Sequence, residues 1–461
     1  MNKEEVKSNV CPICGRPLHK KFNPLLFSTL YCIFHAKVYE KEEKEFNQAL
    51  KEYIQEIKEE DKDYDFEKFI FIGDINFNKD LNITVFKNAN FENATFEGVA
   101  VFWKATFKGD ANFTDTTFKG NASFMEATFE RYAEFWGATF GRYADFMWAT
   151  FNGVAGFGGT IFQGRADFGE ATFEEDADFE NMTFEGDTKF KKATFEGAAV
   201  FKNTTFEEDA DFKEVTFEID TDFQVKSLGK DINFVKVNLF PGKKLNFKVE
   251  NNKGNVSFER AYLENTYLDL DLGAGVLIDF TDTLLRNTKI EKNQIENRIL
   301  QEEQKEFSEA KEVYLLLKNN FHSIGKYENE SWAFKKEKDM ERKGNCHFKT
   351  LHKWLWSCFL NGIFGYGEQP GKVIISAISI ILIFTFLFMS SGISGTSIGG
   401  SISKNFLDCV YFSVITFTTL GYGDFRPLEG WSRIFSGTEA FIGALMMALF
   451  IYTFARRTGG R

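Results

Sequence analysis

The sequence is poor in cysteine and in long apolar segments. A chain of 461 residues is long enough for two to four domains, and its stability does not require disulfide bonds. We therefore expect reduced thiols and a reducing compartment. The mean hydropathy of −0.28 indicates that most of the chain is exposed to water. The six cysteines are Cys11, Cys14, Cys32, Cys346, Cys358 and Cys409.

An excess of basic residues is also missing, since 55 Lys and Arg are opposed by 67 Asp and Glu, giving a net charge of −12. The acidity is local. Between Phe86 and Phe223 there are 26 acidic and 12 basic residues, a local charge of −14, so the remainder carries +2. Such a surface repels nucleic acid and attracts basic partners or cations. We find no nucleophile–base arrangement or phosphate-binding loop, and we expect no enzyme activity.

Two close ligand pairs lie near the N-terminus, in "CPICG" and "CIFH". Pairs of this kind can hold one tetrahedral ion, and four protein ligands make a structural zinc site, not a catalytic one. The sequence predicts a zinc module over residues 1–40 with ligands Cys11, Cys14, Cys32 and His35. His19 is an alternative ligand, and unrelated thiols are the alternative interpretation. The module resembles small zinc-ribbon or treble-clef folds.

Residues 41–70 predict a helical cap, because their apolar residues share one helical face. The residues of that face are Phe46, Ala49, Leu50, Tyr53, Ile54 and Ile57.

From residue 84 onward, phenylalanine recurs in steps that alternate between five and six residues. The 11-residue period "ADFxxATFxxx" also puts a small residue two positions before nearly every Phe. No α-helix keeps one face buried at this spacing, whereas a stacked solenoid does. The Phe positions are 86, 91, 96, 102, 107, 113, 118, 124, 129, 135, 140, 146, 151, 157, 162, 168, 173, 179, 184, 190, 195, 201, 206, 212, 217 and 223.

This pattern resembles the pentapeptide-repeat family, whose members form a right-handed β-helix with four sides per coil. The resemblance implies a β-helix over 71–288, regular over 84–225 and irregular over 226–288. The regular part corresponds to a rod of about 30 Å. Its acidic surface is either simply a solvated surface without a binding role, or it binds an unknown protein partner. Some family members resemble DNA in shape and charge, but a fused membrane anchor disfavours that role here.

Residues 289–371 lose the repeat and predict a helical connector. The aromatic residues Trp354, Trp356 and Tyr366 suit a segment at the membrane interface, although an ordinary surface helix fits equally well. Residues 373–389 lack charge, and 434–454 hold only Glu439 as a charged residue, so both can span a bilayer as helices. The shorter apolar segment between them should enter the membrane and return.

The sequence "TFTTLGYGD" follows that short segment, and non-helical backbone at membrane depth must be buried in protein or line a water-filled path. Thr419, Leu420, Gly421, Tyr422 and Gly423 resemble the potassium-channel selectivity filter. Leu420 replaces the commoner Val. The resemblance to two-transmembrane potassium channels covers 372–456. It implies that backbone carbonyls and the Thr419 hydroxyl bind potassium, the transported ion, and that Asp424 concentrates cations at the outer mouth.

One pore loop per chain implies a homotetramer around one axis. By resemblance, Gly443 is the gating hinge, or else a packing glycine at a helix crossing. Glu439 is a candidate support behind the filter, or else a neutral structural residue. No segment carries the regularly spaced arginines of a voltage sensor, and only six residues follow Ala455, too few for a C-terminal ligand-binding domain.

The sequence thus predicts a multidomain chain: a small zinc module, a quadrilateral β-helix and an all-α pore-loop domain in contact with membrane lipid. We expect a multi-pass cell-membrane protein with cytoplasmic N-terminal domains and C-terminus. The charges of the loops leave this orientation ambiguous, and the reduced thiols and the missing signal peptide favour it. The alternative function is a membrane-tethered scaffold whose pore is incidental.

Overall fold

The computed structural model describes residues 10–18, 31–40, 42–345, 351–395 and 402–458. The chain divides into two compact units, Met1–Lys305 and Glu306–Arg461. Each unit has its own core and is considered separately below.

The first unit opens with a 3-10 turn at Val38–Glu40 and helix α1 at Glu43–Glu60. The buried face of α1 includes Phe46 and Leu50, both fully buried, whereas Ala49 is half-buried. Phe34 stacks on Phe69 with ring centroids 4.5 Å apart. Because the backbone N–H of Ile70 also donates to the Phe34 carbonyl at 2.9 Å, the N-terminal segment is joined to the residues that follow α1.

The main body of this unit is a β-helix with coils of 22 residues and four faces. The register shows this directly, since Ala89 pairs in parallel with Ala111, and Ala111 with Ala133. Each coil contributes one short strand to each face, and every strand pairs with the equivalent strand of the next coil. The solenoid predicted from the Phe spacing is confirmed, and so are the four sides that the resemblance to pentapeptide-repeat proteins implies.

The strands can be listed by face, in chain order. The first face contains Tyr64–Asp65, Ala89–Asn90, Ala111–Asn112, Ala133–Glu134, Ala155–Gly156, Ala177–Asp178, Ala199–Val200, Thr221–Leu228, Lys244–Asn252 and Tyr267–Leu272. The second face contains Ile70–Phe71, Thr95–Phe96, Thr117–Phe118, Thr139–Phe140, Ile161–Phe162, Thr183–Phe184 and Thr204–Phe206. The third face contains Ile75–Asn76, Ala100–Val101, Ala122–Ser123, Ala144–Asp145, Ala166–Asp167, Thr188–Lys189, Ala210–Asp211, Ile232–Asn233, Val256–Ser257 and Ile278–Asp279. The fourth face contains Val85–Phe86, Thr106–Phe107, Thr128–Phe129, Thr150–Phe151, Thr172–Phe173, Thr194–Phe195, Thr216–Phe217 and Asn238–Leu239.

Stacked phenylalanines fill the interior of the coils. Phe113 and Phe135 of successive coils lie 4.8 Å apart with ring planes only 2° from parallel, whereas Phe113 and Phe124 of one coil meet edge to face at 88°. Each fully buried Phe contributes about 1.5–3 kcal/mol from removal of its surface from water. The small residue before each Phe leaves room for these rings, and Ala133 and Ala144 are fully buried.

The two ends of the β-helix depart from the regular pattern. Helix α2, Phe77–Leu81, is inserted in the first coil, between the third and fourth faces. Near the other end, Thr221–Leu228 pairs with strands of both the first and the second face. The last bridge joins Ile278 to Ile299, and the short helices α3, Lys292–Ile295, and α4, Leu300–Glu303, lie beside it. Parallel pairing therefore extends from Tyr64 to Ile299.

The second unit begins with two helices, α5 at Phe307–Ser323 and α6 at Tyr327–Gly344, which pack against each other. Lys318 of α5 and the buried carboxylate of Glu337 of α6 form an ion pair at 2.8 Å. Helix α7, Leu351–Phe364, leads to a 3-10 turn at Gly365–Gly367.

The remaining elements form the apolar part of the unit. They are α8 at Pro370–Ser391, strands Ile393–Gly395 and Ile402–Ser403, α9 at Phe406–Phe417, strand Phe425–Pro427 and α10 at Trp431–Thr458. The three strands form one small antiparallel sheet. In the part of the chain that the structure describes, two helices are long and apolar enough to span a membrane, Pro370–Ser391 and Trp431–Ala455 within α10.

The outward residues of α8 and α10 are apolar. Ile375, Phe386 and Phe441 are 66, 61 and 68% exposed in the single chain. Exposure of so many large apolar side chains to water would be costly, so lipid or further protein must cover them.

Candidate functional site

The predicted metal ligands Cys11, Cys14, Cys32 and His35 come together in one cluster, and their ligand atoms all lie within 4.8 Å of one another. A tight turn presents the first pair: the Cys11 N–H donates to the Arg16 carbonyl at 2.7 Å. A second turn presents the other pair through a bond from His35 N–H to the Cys32 carbonyl at 3.1 Å. His19, the alternative ligand, lies outside the described residues.

The distances within the cluster fit a tetrahedral metal ion. Cys14 Sγ and Cys32 Sγ are 3.5 Å apart, and His35 Nδ1 is 3.5 Å from Cys11 Sγ and 3.2 Å from Cys32 Sγ. Zinc bonds of about 2.3 Å to sulfur and about 2.1 Å to nitrogen separate tetrahedral ligands by roughly 3.6 Å. The donor set and spacing can therefore hold one metal ion.

A hydrogen bond on the far side of the imidazole orients the histidine. His35 Nε2 lies 2.9 Å from the Glu67 carbonyl oxygen, so Nε2 carries the proton and Nδ1 is left to face the thiols. Burial raises the pKa of the Cys32 thiol to about 12, so a thiolate there requires a compensating cation. Glu67 also precedes the second-face strand of the first coil, and the cluster thus closes that end of the β-helix.

The predicted filter follows α9 directly. The chain turns after Phe417, with the Leu420 N–H donating to the Ile415 carbonyl at 2.9 Å. Thr419, Gly421 and Gly423 have φ angles of +56°, +55° and +80°, whereas the residues between them avoid the left-handed region. Glycine adopts such angles freely, but Thr419 is β-branched and its backbone is strained.

The filter segment lies on the surface of the single chain, since Leu420 and Tyr422 are 59 and 69% exposed. At the C-terminal end of the segment, the Tyr411 hydroxyl of α9 forms a hydrogen bond with the Asp424 carboxylate. The other Gly-Tyr-Gly copy, Gly365–Gly367, is a turn between α7 and α8 in which both glycines are buried and the Tyr366 hydroxyl contacts Ser357 at 2.7 Å.

Behind the pore loop, Glu439 of α10 is fully buried and accepts a short hydrogen bond from the Ser413 hydroxyl of α9. Ser413 Oγ also lies 2.9 Å from the Ile381 carbonyl of α8, so this serine connects three helices. Among the described residues, the second carboxylate oxygen of Glu439 has no hydrogen-bond partner. One turn further along, Gly443 packs against the Phe417 backbone.

Comparison with known proteins assigns the β-helix and the apolar helices to two different families. Residues 373–459 match the ion-channel family, and 91–139, 135–183 and 179–224 match pentapeptide repeats. The chain carries an ion-channel domain behind a series of pentapeptide repeats. The ion-channel family and the two apolar helices together make it a membrane protein.

Curated relatives agree with the ion-channel domain. The chain is 37% identical over 79 residues to "Probable potassium channel protein 2" of Methanocaldococcus jannaschii, covering 17% of this chain and 21% of that protein. It is also 37% identical over 54 residues to "Two pore potassium channel a" of Oryza sativa subsp. japonica, covering 12% of this chain and 16% of the relative. The chain thus spans about a fifth or less of either relative. No solved structure gives a significant match.

Sequence reasoning did not identify Ser413 or the position of Phe417 against Gly443. A polar residue in the apolar segment "FLDCVYFSVITF" was the available signal for Ser413. Its partner Glu439 is 26 residues away on another helix, so the pairing depends on helix packing.

Proposed function

We propose that the chain conducts potassium ions passively across the membrane through a filter made of Thr419, Leu420, Gly421, Tyr422 and Gly423. The observation that carries this proposal is the left-handed backbone at every second residue of that segment, at the end of an apolar helix. A row of carbonyls on one side replaces the water shell of a potassium ion. The C-terminal end of α9 adds a partial negative charge beside it.

The pore requires four copies of the chain. A single copy leaves Leu420 and Tyr422 exposed, and one pore loop supplies one quarter of a filter. In the proposed homotetramer the exposed apolar residues of α8 and α10 face sister subunits or membrane lipid. Asp424, held by Tyr411, concentrates cations at the outer mouth.

Glu439 and Gly443 are proposed to support the filter from behind. Glu439 acts through Ser413, which lies on the helix that ends at the pore loop. Gly443 permits α10 to approach the last residue of that helix. The close packing favours a role in positioning the filter, and a gating hinge at Gly443 remains compatible with it.

For the N-terminal cluster we propose a structural zinc ion bound by Cys11, Cys14, Cys32 and His35. Four protein ligands leave no open position for catalysis. The bound metal would stabilise the end of the β-helix, since His35 is hydrogen-bonded to Glu67 of the first coil. The cysteines of this cluster form no disulfide bond, and thiol ligands of this kind persist in a reducing compartment, so we place the N-terminal domains and the C-terminus in the cytoplasm.

The β-helix is proposed to bind a protein partner and regulate the pore. Its local charge of −14 supports binding of a basic partner and disfavours nucleic acid. A stiff solenoid can transmit such binding through the chain to α5 and α6. The same surface would serve the alternative function, a membrane-tethered scaffold with an incidental pore.

Substitution of the filter tyrosine tests the proposed conduction. In liposomes, Tyr422→Asp should reduce the ratio of potassium to sodium flux, because the charge and shape of the new carboxylate disturb the row of carbonyls. The matched control is Tyr366→Asp in the other Gly-Tyr-Gly copy, which should leave the ratio unchanged. An unchanged ratio in Tyr422→Asp, or equal loss in the control, would contradict the assigned filter.

A further inference from the structure

One coil of the β-helix, that of strand Ala155–Gly156, is rich in glycine over residues 153–159 and there lacks most of the outward side chains that its neighbours carry. Side chains of the preceding coil occupy the vacated space. A Cβ at Gly156 would lie 2.7 Å from Glu134 Oε1, and one at Gly158 would lie 2.4 Å from Trp136 Cζ3. The glycines therefore allow Glu134 and Trp136 to lie flat along the first face.

Tyr132, Glu134 and Trp136 form a fixed group there. The Tyr132 hydroxyl donates a short hydrogen bond to Glu134 Oε2, and the backbone N–H of Trp136 donates to Glu134 Oε1 at 2.9 Å. Despite these contacts, the side chains of Tyr132 and Trp136 remain 43 and 50% exposed. Two aromatic side chains thus flank a carboxylate on the surface of the rod.

A second carboxylate lies on the far side of the glycine coil. Asp178 occupies the first-face position equivalent to Glu134, two coils further along. Burial, the bond to Glu134 and the negative charges of Glu134 and Asp178 raise the pKa of Tyr132 to about 12. Within 42–345, neither carboxylate forms an ion pair, and Arg131, which directly precedes Tyr132, pairs with Asp110.

We propose that this aromatic–acidic patch, formed by Tyr132, Glu134, Trp136 and Asp178, binds an arginine- or lysine-bearing segment of a protein partner. One cation can lie over the Trp136 ring beside Glu134, and a second basic side chain of the same segment can meet Asp178. An apolar partner would strip water from the carboxylates without compensation, and nucleic acid would be repelled by the local charge. The inference rests on the proposed partner-binding role of the β-helix and is independent of ion conduction.

Another exposed tryptophan, Trp103, already contacts a cation and a carboxylate of its own chain. The Lys104 ammonium lies over the Trp103 ring, 4.7 Å from its centroid, and the Trp103 indole N–H donates to Glu126 at 3.3 Å. Trp103 is 40% exposed, comparable with Trp136, but its ring already has a cation. It therefore provides a matched control.

The test measures binding of a fluorescein-labelled hexapeptide of alternating glycine and arginine to the full-length protein in zwitterionic detergent, by anisotropy. Trp136→Ala should weaken binding about fivefold, the effect expected for loss of one cation–π contact. Trp136→Phe should retain most of the affinity because an aromatic face remains, and Trp103→Ala should bind as the unsubstituted protein does. Circular dichroism confirms that each variant is folded.

Two results would overturn the assignment: unchanged binding in Trp136→Ala, or an equal loss in Trp103→Ala, which would indicate general attraction to the acidic rod. Potassium flux measured on the same preparations separates this inference from conduction. If a variant loses peptide binding but keeps normal potassium flux, only the patch is affected. If the protein binds the peptide normally but shows no potassium flux, the proposed pore is wrong and the patch is not.

Discussion

Gly443 of α10 lies directly against the carbonyl of Phe417, the last residue of α9, and a Cβ at position 443 would be 1.9 Å from that oxygen. The pore loop begins at the next residue. Helix α10 therefore supports the base of the proposed filter through backbone contact, and any side chain at position 443 must displace one of the two helices.

Gly443→Ala should consequently lower the stability of the folded protein by about 1–3 kcal/mol, the usual cost of overpacking, and disturb ion selectivity. Thermal unfolding in detergent and flux in liposomes measure the two effects. Gly437→Ala in the same helix is the control, since a Cβ there meets no atom within 4 Å. Equal behaviour of the two variants would show that the close approach to Phe417 is unimportant.

The second prediction concerns the serine that connects α8, α9 and α10. Ser413→Ala removes the donor to buried Glu439 and should destabilise the protein by about 1–3 kcal/mol, because a buried carboxylate loses its hydrogen bond. Ser379→Ala is the control, as that exposed hydroxyl only bonds within α8, to the Ile375 carbonyl at 2.9 Å. A smaller loss in Ser413→Ala than in the control would refute the supporting role.

For the metal cluster we predict one zinc ion per chain. Cys32→Ser should abolish zinc binding and, by removing a buried ligand, make the N-terminal segment and the first coil more susceptible to proteolysis. Metal analysis of purified full-length protein checks the stoichiometry. Cys358→Ser, which lies outside the cluster, should keep the zinc. Full zinc content in Cys32→Ser would disprove the ligand assignment.

Removal of the first unit tests the proposed division of labour. A chain of residues 306–461 should retain potassium selectivity but show altered open probability. This boundary retains the hydrogen bond from the Ser331 hydroxyl of α6 to the buried Glu368 carboxylate, which is 2.8 Å long. A chain that began at residue 346 would lack this bond. Unchanged gating of the truncated protein would show that the β-helix does not regulate the pore and serves only as a scaffold. Loss of selectivity would show that the first unit is needed to form the filter.

Features encoded by local repetition were predictable from the sequence. The Phe period determines both the coil and its buried residues, and the ligand pairs indicate the metal cluster, because each signal lies within a few residues. The inserted helix α2 and the long strand Thr221–Leu228 were not predicted, since α2 lies before the Phe period begins and the strand lies where it ends. The Ser413–Glu439 and Gly443–Phe417 contacts depend on how distant helices pack, which no short pattern records.

The most direct test of the account compares potassium and sodium flux through the unsubstituted full-length protein in liposomes. If Thr419–Gly423 of four chains form a carbonyl-lined filter, potassium flux should greatly exceed sodium flux under equal gradients. Equal flux of the two ions through protein shown to be folded and assembled would contradict the proposed potassium pore.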